Sequence, residues 1–386
     1  MSEQETRNQS RLVRGAHRTL TGLHPAVESL LAAIVGLLIG AALMYLWGYN
    51  PWKAYWALFR GAYGGSYEWA STLARATPLI LTALTFSICV RAGMFNIGAE
   101  GQMFMGAIAA VCVALFKMPA GIHLIVGLVF ALIVGAAWSI VPALLKITRG
   151  VSEVISTIMF NWIAVFLARY ISRTALVDPS HAERTLRIPV TARFPIVVRG
   201  TDFSYAFFLS VFVAIVLYFV LWHTTLGYEV RAAGLNPTAA RYGGIRNKRT
   251  MMVSFLLGGV TAGLAGATII MGMPPSYAAF GPAGFPELVN VGFDGMAVAM
   301  VGRNHPIGII AAAVFFGGLT AGGRVMQLYG SNPVPLEMVH VVMGAIVIAL
   351  SIPELTRLFP IMVGEGKRVV NALRRPKSAP KKGGSA

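Results

Sequence analysis

Residues 91–103 read Arg91-Ala92-Gly93-Met94-Phe95-Asn96-Ile97-Gly98-Ala99-Glu100-Gly101-Gln102-Met103, with the polar Asn96, Glu100 and Gln102 set between two apolar segments of nearly membrane-spanning length. A carboxylate and two amides at or near bilayer depth are costly unless they face a water-filled cavity or bind something. Glycine lets the backbone unwind or pack closely, and irregular backbone is tolerated at that depth only inside protein or along a pathway. The stretch predicts a polytopic helical membrane protein with a broken segment, and the rest of the chain reads as scaffold around it.

Composition points the same way. The 386 residues are 56% hydrophobic and 12% charged, with a mean hydropathy of +0.67, which lies outside the soluble globular range. A span takes about 20 apolar residues, so the chain has room for roughly ten. The net charge of +17 would suit a nucleic-acid partner in a soluble protein, but the basic residues gather in tails and loops, as the positive-inside bias requires. Cys89 and Cys112 lie in apolar segments without a spaced framework and read as buried small hydrophobes, not a disulfide or metal ligands.

Apolar runs place spans at about 27–48, 69–90, 101–116, 121–144, 153–171, 204–222, 250–273, 288–301, 305–323 and 335–353. The first run is too long for a signal-peptide core and reads as a retained helix. Tyr45, Trp47, Tyr49, Trp52, Tyr55 and Trp56 form an aromatic cluster suited to a membrane–water interface. The basic tails at 1–25 and 355–386 and the basic loop at 223–249 are expected in the cytoplasm, around a permease domain at 26–354. The polar loop at 172–203 then falls outside, although it carries five arginines against three acids. Residues 274–286 hold four prolines and two glycines and are expected as a re-entrant or surface-lying hairpin. Broken apolar segments in both halves of a chain point to a central binding site in transporters.

The chain lacks a Walker A loop, a His-Glu-x-x-His pair and a Gly-x-Ser-x-Gly elbow, and its histidines are scattered singly. It therefore reads as a transporter component without its own ATPase site, and no cofactor or metal is expected. In the broken stretch Asn96, Glu100 and Gln102 could hydrogen-bond a polar solute while Phe95 and Phe104 offer stacking surfaces. The alternative is that Glu100 pairs with Arg91 or caps a helix N-terminus.

A second stretch, Gly227-Tyr228-Glu229-Val230-Arg231-Ala232-Ala233-Gly234-Leu235-Asn236-Pro237-Thr238-Ala239-Ala240-Arg241-Tyr242-Gly243-Gly244-Ile245, is built for a short helix started by Asn236-Pro237 and ended by Gly243-Gly244. Its pattern Arg-Ala-x-Gly-x-Asn-Pro-x-Ala-Ala-x-Tyr-x-Gly-Ile resembles the coupling loop of permease subunits of bacterial ABC importers for monosaccharides and nucleosides. Met94-Phe95-Asn96-Ile97-Gly98-Ala99-Glu100-Gly101-Gln102 resembles the signature of the nucleoside-type branch of that family, and the similarity extends over roughly 27–353.

The resemblance implies a multi-pass subunit in a bacterial plasma membrane that works with a second, non-identical permease, a cytoplasmic ATPase with two nucleotide-binding halves and an extracytoplasmic solute-binding lipoprotein. By position, Gly234, Asn236, Pro237, Ala239 and Ala240 fall in the loop expected to enter an ATPase groove. Nucleosides are the implied cargo. A monosaccharide such as ribose is the nearer alternative, and an ion-coupled secondary transporter using Glu100 and Asp294 is the alternative of another class.

Overall fold

The computed structural model describes residues 25–272, 274, 278, 288–328 and 334–351. The two tails, except Pro25, and the hairpin expected at 274–286, except Pro274 and Ala278, lie outside the described residues. The helices are α1 (Pro25–Leu46), α2 (Pro51–Tyr63), α3 (Ser66–Arg91), α4 (Ala99–Cys112), α5 (Ile122–Arg149), α6 (Glu153–Thr174) and α7 (Ala206–His223). They continue with α8 (Thr225–Leu235), α9 (Pro237–Tyr242), α10 (Asn247–Gly272), α11 (Val291–Val301), α12 (Pro306–Leu328) and α13 (Glu337–Ser351). Among the described residues seven helices are long and apolar enough to cross a membrane, and three shorter apolar helices join them, in line with the expected ten.

Burial sorts these helices into an inner and an outer set. Within their most apolar windows, 83% of α3 and 78% of α10 are buried, against 22% of α1 and α5 and 28% of α6 and α7. The outer helices therefore present Val, Ile, Leu and Phe outward, as lipid-facing helices do, and the inner two are buried on most of their surface. The inner helices afford polar side chains because their own carbonyls accept from them: Thr77 donates to Leu73, Thr82 to Pro78 and Thr85 to Leu81, at 2.9–3.1 Å. Thr85 also meets the Thr261 hydroxyl of α10 at 2.7 Å.

Small residues let α10 cross its neighbours at backbone contact. A Cβ built on Gly263 would lie 2.3 Å from the carbonyl oxygen of Ala131 on α5, and one on Gly266 would lie 2.1 Å from that of Met103 on α4. In lipid there is little hydrophobic force between helices, so close approach of small residues is the main source of their packing.

Two connections carry structure that hydropathy alone did not forecast. The aromatic run after α1 becomes the helix α2, because Asn50 caps it, accepting from the amides of Trp52 and Lys53, and Pro51 suits its first turn. With 13 residues α2 is ~20 Å long, too short to span, and it packs on α12 with Trp52 and Trp56 still exposed. Within 172–203, β1 (Val177–Asp178) and β2 (His181–Thr185) form a small hairpin. At its turn Asp178 accepts from the hydroxyl and amide of Ser180 and from Arg184, which hold its carboxyl down at about 2.

The packing at Gly263 leads to a stability prediction. Gly263→Val forces the α5 and α10 backbones apart and is expected to cost roughly 1–3 kcal/mol. Gly344→Ala, on α13 with nothing within 4 Å of the new Cβ, is expected to leave stability unchanged or slightly raised. Thermal unfolding of the detergent-purified variants measures both.

Candidate functional site

The helix α3 stops because its sequence closes it. Gly93 takes φ +75°, which glycine adopts at no steric cost, and the amides of Gly93 and Met94 return to the carbonyls of Val90 and Cys89 at 3.0 and 2.9 Å. The chain then runs without regular structure to Gly98, and α4 restarts at Ala99. With 14 residues α4 spans ~21 Å, and α11, with 11, spans ~17 Å, so each begins or ends inside a bilayer core of about 30 Å.

These two short helices start side by side. Glu100, in the first turn of α4, accepts from the amide of Asn290 (2.9 Å, to Oε1) and from that of Gly292 (3.1 Å, to Oε2). Asn290 precedes α11 in a left-handed conformation at φ 68°, and a Cβ on Gly292 would fall 2.5 Å from the Glu100 amide nitrogen. One buried carboxylate, 5% exposed, thus sits where two helix N-termini converge. The positive end of each helix dipole favours the negative charge there, and the charge satisfies amides that α11 leaves unpaired. Arg91 is occupied elsewhere: its Nε donates to the carbonyl of Asn304 (3.0 Å) and its Nη2 to that of Arg303 (3.2 Å).

The backbone of the break is held against α6. Asn161 accepts from the amide of Gly101 at 2.8 Å and donates to the carbonyl of Ile97 at 2.9 Å, and the Thr157 hydroxyl accepts from the amide of Ile97 at 3.3 Å. Asn96, fully buried, accepts from the amide of Gly98 and donates to the Cys89 sulfur. Gln102 is also buried, and its Oε1 has no hydrogen-bond partner. The ring of Phe95 stays half exposed and meets Phe86 edge-on at 4.9 Å between centroids. Phe104 lies in the apolar core at 1% exposure. The structure thus gathers Asn96, Glu100 and Gln102 around the break, leaves Phe95 at its surface and withdraws Phe104 into packing.

Asn161 and Thr157 were not among the sequence candidates. For Asn161 the visible signal was a side-chain amide inside an apolar span. The amides of Asn290 and Gly292 gave none, because backbone donors carry no sequence signature.

The second predicted site lies at one end of the bundle. The expected short helix is α9: Asn236 caps it, accepting from the amides of Thr238 and Ala239 at 3.0 Å each, and Gly243 follows its last residue. Asn236, Pro237 and Ala239 are exposed and Ala240 is buried. Leu235 and Tyr242 are 89% and 90% exposed, an apolar pair that no neighbour among the described residues covers. Gly234 turns inward onto the broken stretch. A Cβ there would lie 2.1 Å from the Arg91 carbonyl oxygen and 2.9 Å from the Gly93 nitrogen. The two stretches singled out in the sequence are therefore one contiguous unit, joined backbone to backbone.

Known proteins resemble this chain over most of its length. Residues 69–351 match the family described as branched-chain amino acid transport system / permease component. The guanosine ABC transporter permease protein NupP of Bacillus subtilis is 38% identical over 325 residues, covering 83% of this chain and 91% of the relative. The nucleoside ABC transporter permease protein NupB of Lactococcus lactis is 32% identical, covering 92% of this chain and 97% of the relative. The glucose ABC transporter permease protein TsgB13 of Haloferax volcanii is 28% identical, covering 88% and 90%. Bacillus subtilis and Lactococcus lactis each contribute a second matching permease protein.

Truncations at the break separate its two clamps. Asn161→Leu strands the Gly101 amide and the Ile97 carbonyl and is expected to cost about 1–3 kcal/mol for each group left unpaired. Glu100→Gln keeps a carbonyl acceptor and is expected to destabilise less than Glu100→Ala, which leaves both α11 amides without a partner. Unfolding midpoints of the three variants test the order.

Proposed function

The chain belongs to the branched-chain amino acid transport system / permease component family of multi-pass membrane proteins, and from that premise we propose that it is the translocating subunit of an ATP-powered nucleoside importer. The observation that carries the coupling mechanism is the backbone contact of Gly234 with Arg91 and Gly93. It joins the exposed loop of the coupling-type motif to the buried polar break. The nucleoside assignment is supported by the identity to guanosine and nucleoside permeases, which exceeds that to the glucose permease.

In this reading a separate cytoplasmic ATPase grips α9 through Asn236, Pro237 and Ala239 and the neighbouring Leu235 and Tyr242. Nucleotide-driven closure moves α8 and α9, and Gly234 passes the displacement to Gly93 and so to the start of α4. Because Glu100 fastens α4 to α11, the two short helices move together. Access then alternates between the two faces of the membrane, a shear transition of packed elements with no covalent chemistry in this chain. Asn96 and Gln102 offer hydrogen-bonding groups to the base or ribose, the free Oε1 of Gln102 foremost, and Phe95 offers a face for stacking. A second, non-identical permease completes the pathway, and an extracytoplasmic lipoprotein delivers the solute. The tails and the 223–249 loop face the cytoplasm of a bacterial cell.

Uptake of labelled nucleoside in cells tests the whole proposal. Gly234→Arg, which cannot fit against Arg91 and Gly93, is expected to abolish uptake at normal membrane expression, as is depletion of ATP. Unlabelled adenosine, guanosine or uridine should compete, and ribose or glucose should not. Uptake that survives loss of ATP but falls with an ion gradient would favour relay chemistry at Glu100 and Asp294 instead.

A further inference from the structure

A cavity of about 840 Å³ opens beside α8, lined in part by Gly234 and Arg91. Its volume falls in the range of about 300–1,000 Å³ typical of small-molecule sites. Arg91, Arg231 and Arg303 all line it, while Val90, Leu235 and Met300 supply an apolar wall and Tyr228 an aromatic one. Among the described residues no carboxylate lines it.

The arginines are arranged against their own electrostatics. The guanidinium carbons of Arg91 and Arg231 lie 5.2 and 5.6 Å from the centroid of the same indole, that of Trp222, and the two cations repel one another. Arg303 stands at the turn between α11 and α12 with φ 56°, followed by Asn304 at φ 51°. Left-handed backbone at two successive non-glycine residues is unfavourable, and such outliers collect at ligand clamps and functional sites. Here it presents the two carbonyls that Arg91 holds, and it sets Arg303 at the cavity.

The geometry points to this cavity as a binding site for the phosphate group of a phosphate ester. Guanidinium groups match phosphate oxygens in charge and in planar, forked hydrogen-bonding geometry, and an anionic phosphate beside Arg91 and Arg231 offsets the repulsion between them. The apolar and aromatic wall suits an ester with a hydrophobic or ring-bearing body better than a bare inorganic anion. Two sources share this chemistry: the headgroup of an anionic phospholipid, and a nucleoside 5′-phosphate. The tryptophan and tyrosines near the end of α7 and on α8 suit the headgroup level of a membrane, and a nucleotide is the metabolic product of an imported nucleoside. Either occupant would steady α8 against Arg91 beside the Gly93–Gly234 contact, and so set how readily the coupling loop moves. That consequence rests on the import reading; the binding itself does not.

The test uses the full-length protein in nanodiscs. With phosphatidylcholine alone, AMP and inorganic phosphate are titrated by calorimetry. With added phosphatidylglycerol, retained lipid is read by native mass spectrometry. Binding in the first arm identifies a nucleotide site and retention in the second a lipid site. In whichever arm is positive, Arg231→Gln with Arg303→Asn is expected to weaken it at least tenfold, and Arg303→Lys, which keeps the charge without the planar fork, to weaken it less than Arg303→Asn does. Asparagine is chosen because it tolerates the left-handed conformation. Should the double variant fail to fold, Arg303→Asn alone, at an exposed position, is expected to weaken binding several-fold. No ligand in either arm, or binding indifferent to the arginines, overturns the proposal. So does displacement of bound phosphate by a hexaglutamate peptide at lower concentration than by AMP, which would assign the cavity to an acidic protein segment.

Discussion

The interaction on which the rest depends is the pair of hydrogen bonds from the Asn290 and Gly292 amides to Glu100, across 190 and 192 residues of chain. A short helix beginning inside a membrane leaves its first amides without partners, and lipid offers no water to satisfy them. Glu100 meets that need for α11 while its own charge is held by two converging helix ends. The carboxylate supplies that acceptor for α11 from the first turn of α4. The clamp by Asn161 on the other side of the break does for Gly101 and Ile97 what Glu100 does for α11.

The glycines give this polar centre its surroundings. At Gly263 and Gly266 the backbones of α4, α5 and α10 approach more closely than any Cβ allows, so the inner helices form a dense frame with polar groups confined to chosen points. At Gly93 and Gly234 the same property serves another end, bringing a surface loop into direct contact with the break. A contact of backbone on backbone has no flexible side chain to absorb a displacement, and packed elements of this kind shift between discrete arrangements instead of deforming smoothly.

Arg91 stands at the junction of these parts. It ends α3, braces the left-handed turn at Arg303 and Asn304, shares the Trp222 ring with Arg231, and offers its carbonyl to the approach of Gly234. Its place explains why the turn between α11 and α12 tolerates two unfavourable backbone conformations: the carbonyls they expose are taken by a cation.

Much of the architecture was determined by the sequence alone. The apolar runs mark the helices within a few residues because a membrane span is a local demand on composition, met or not within a window of about 20 residues. The helix α9 was equally legible, since Asn236-Pro237 starts it and Gly243 ends it by chemistry confined to the residues themselves. Only the tertiary structure decided what the polar residues do. Glu100 was visible as a costly carboxylate, but its partners are backbone amides on α11 that no residue pattern announces. Phe104, by the sequence a stacking surface, is turned into the core by helix packing, and Asn161 became significant only when α6 brought it to the break. The contact of Gly93 with Gly234 belongs to the same class, because it depends on how distant segments fold together and not on what either contains.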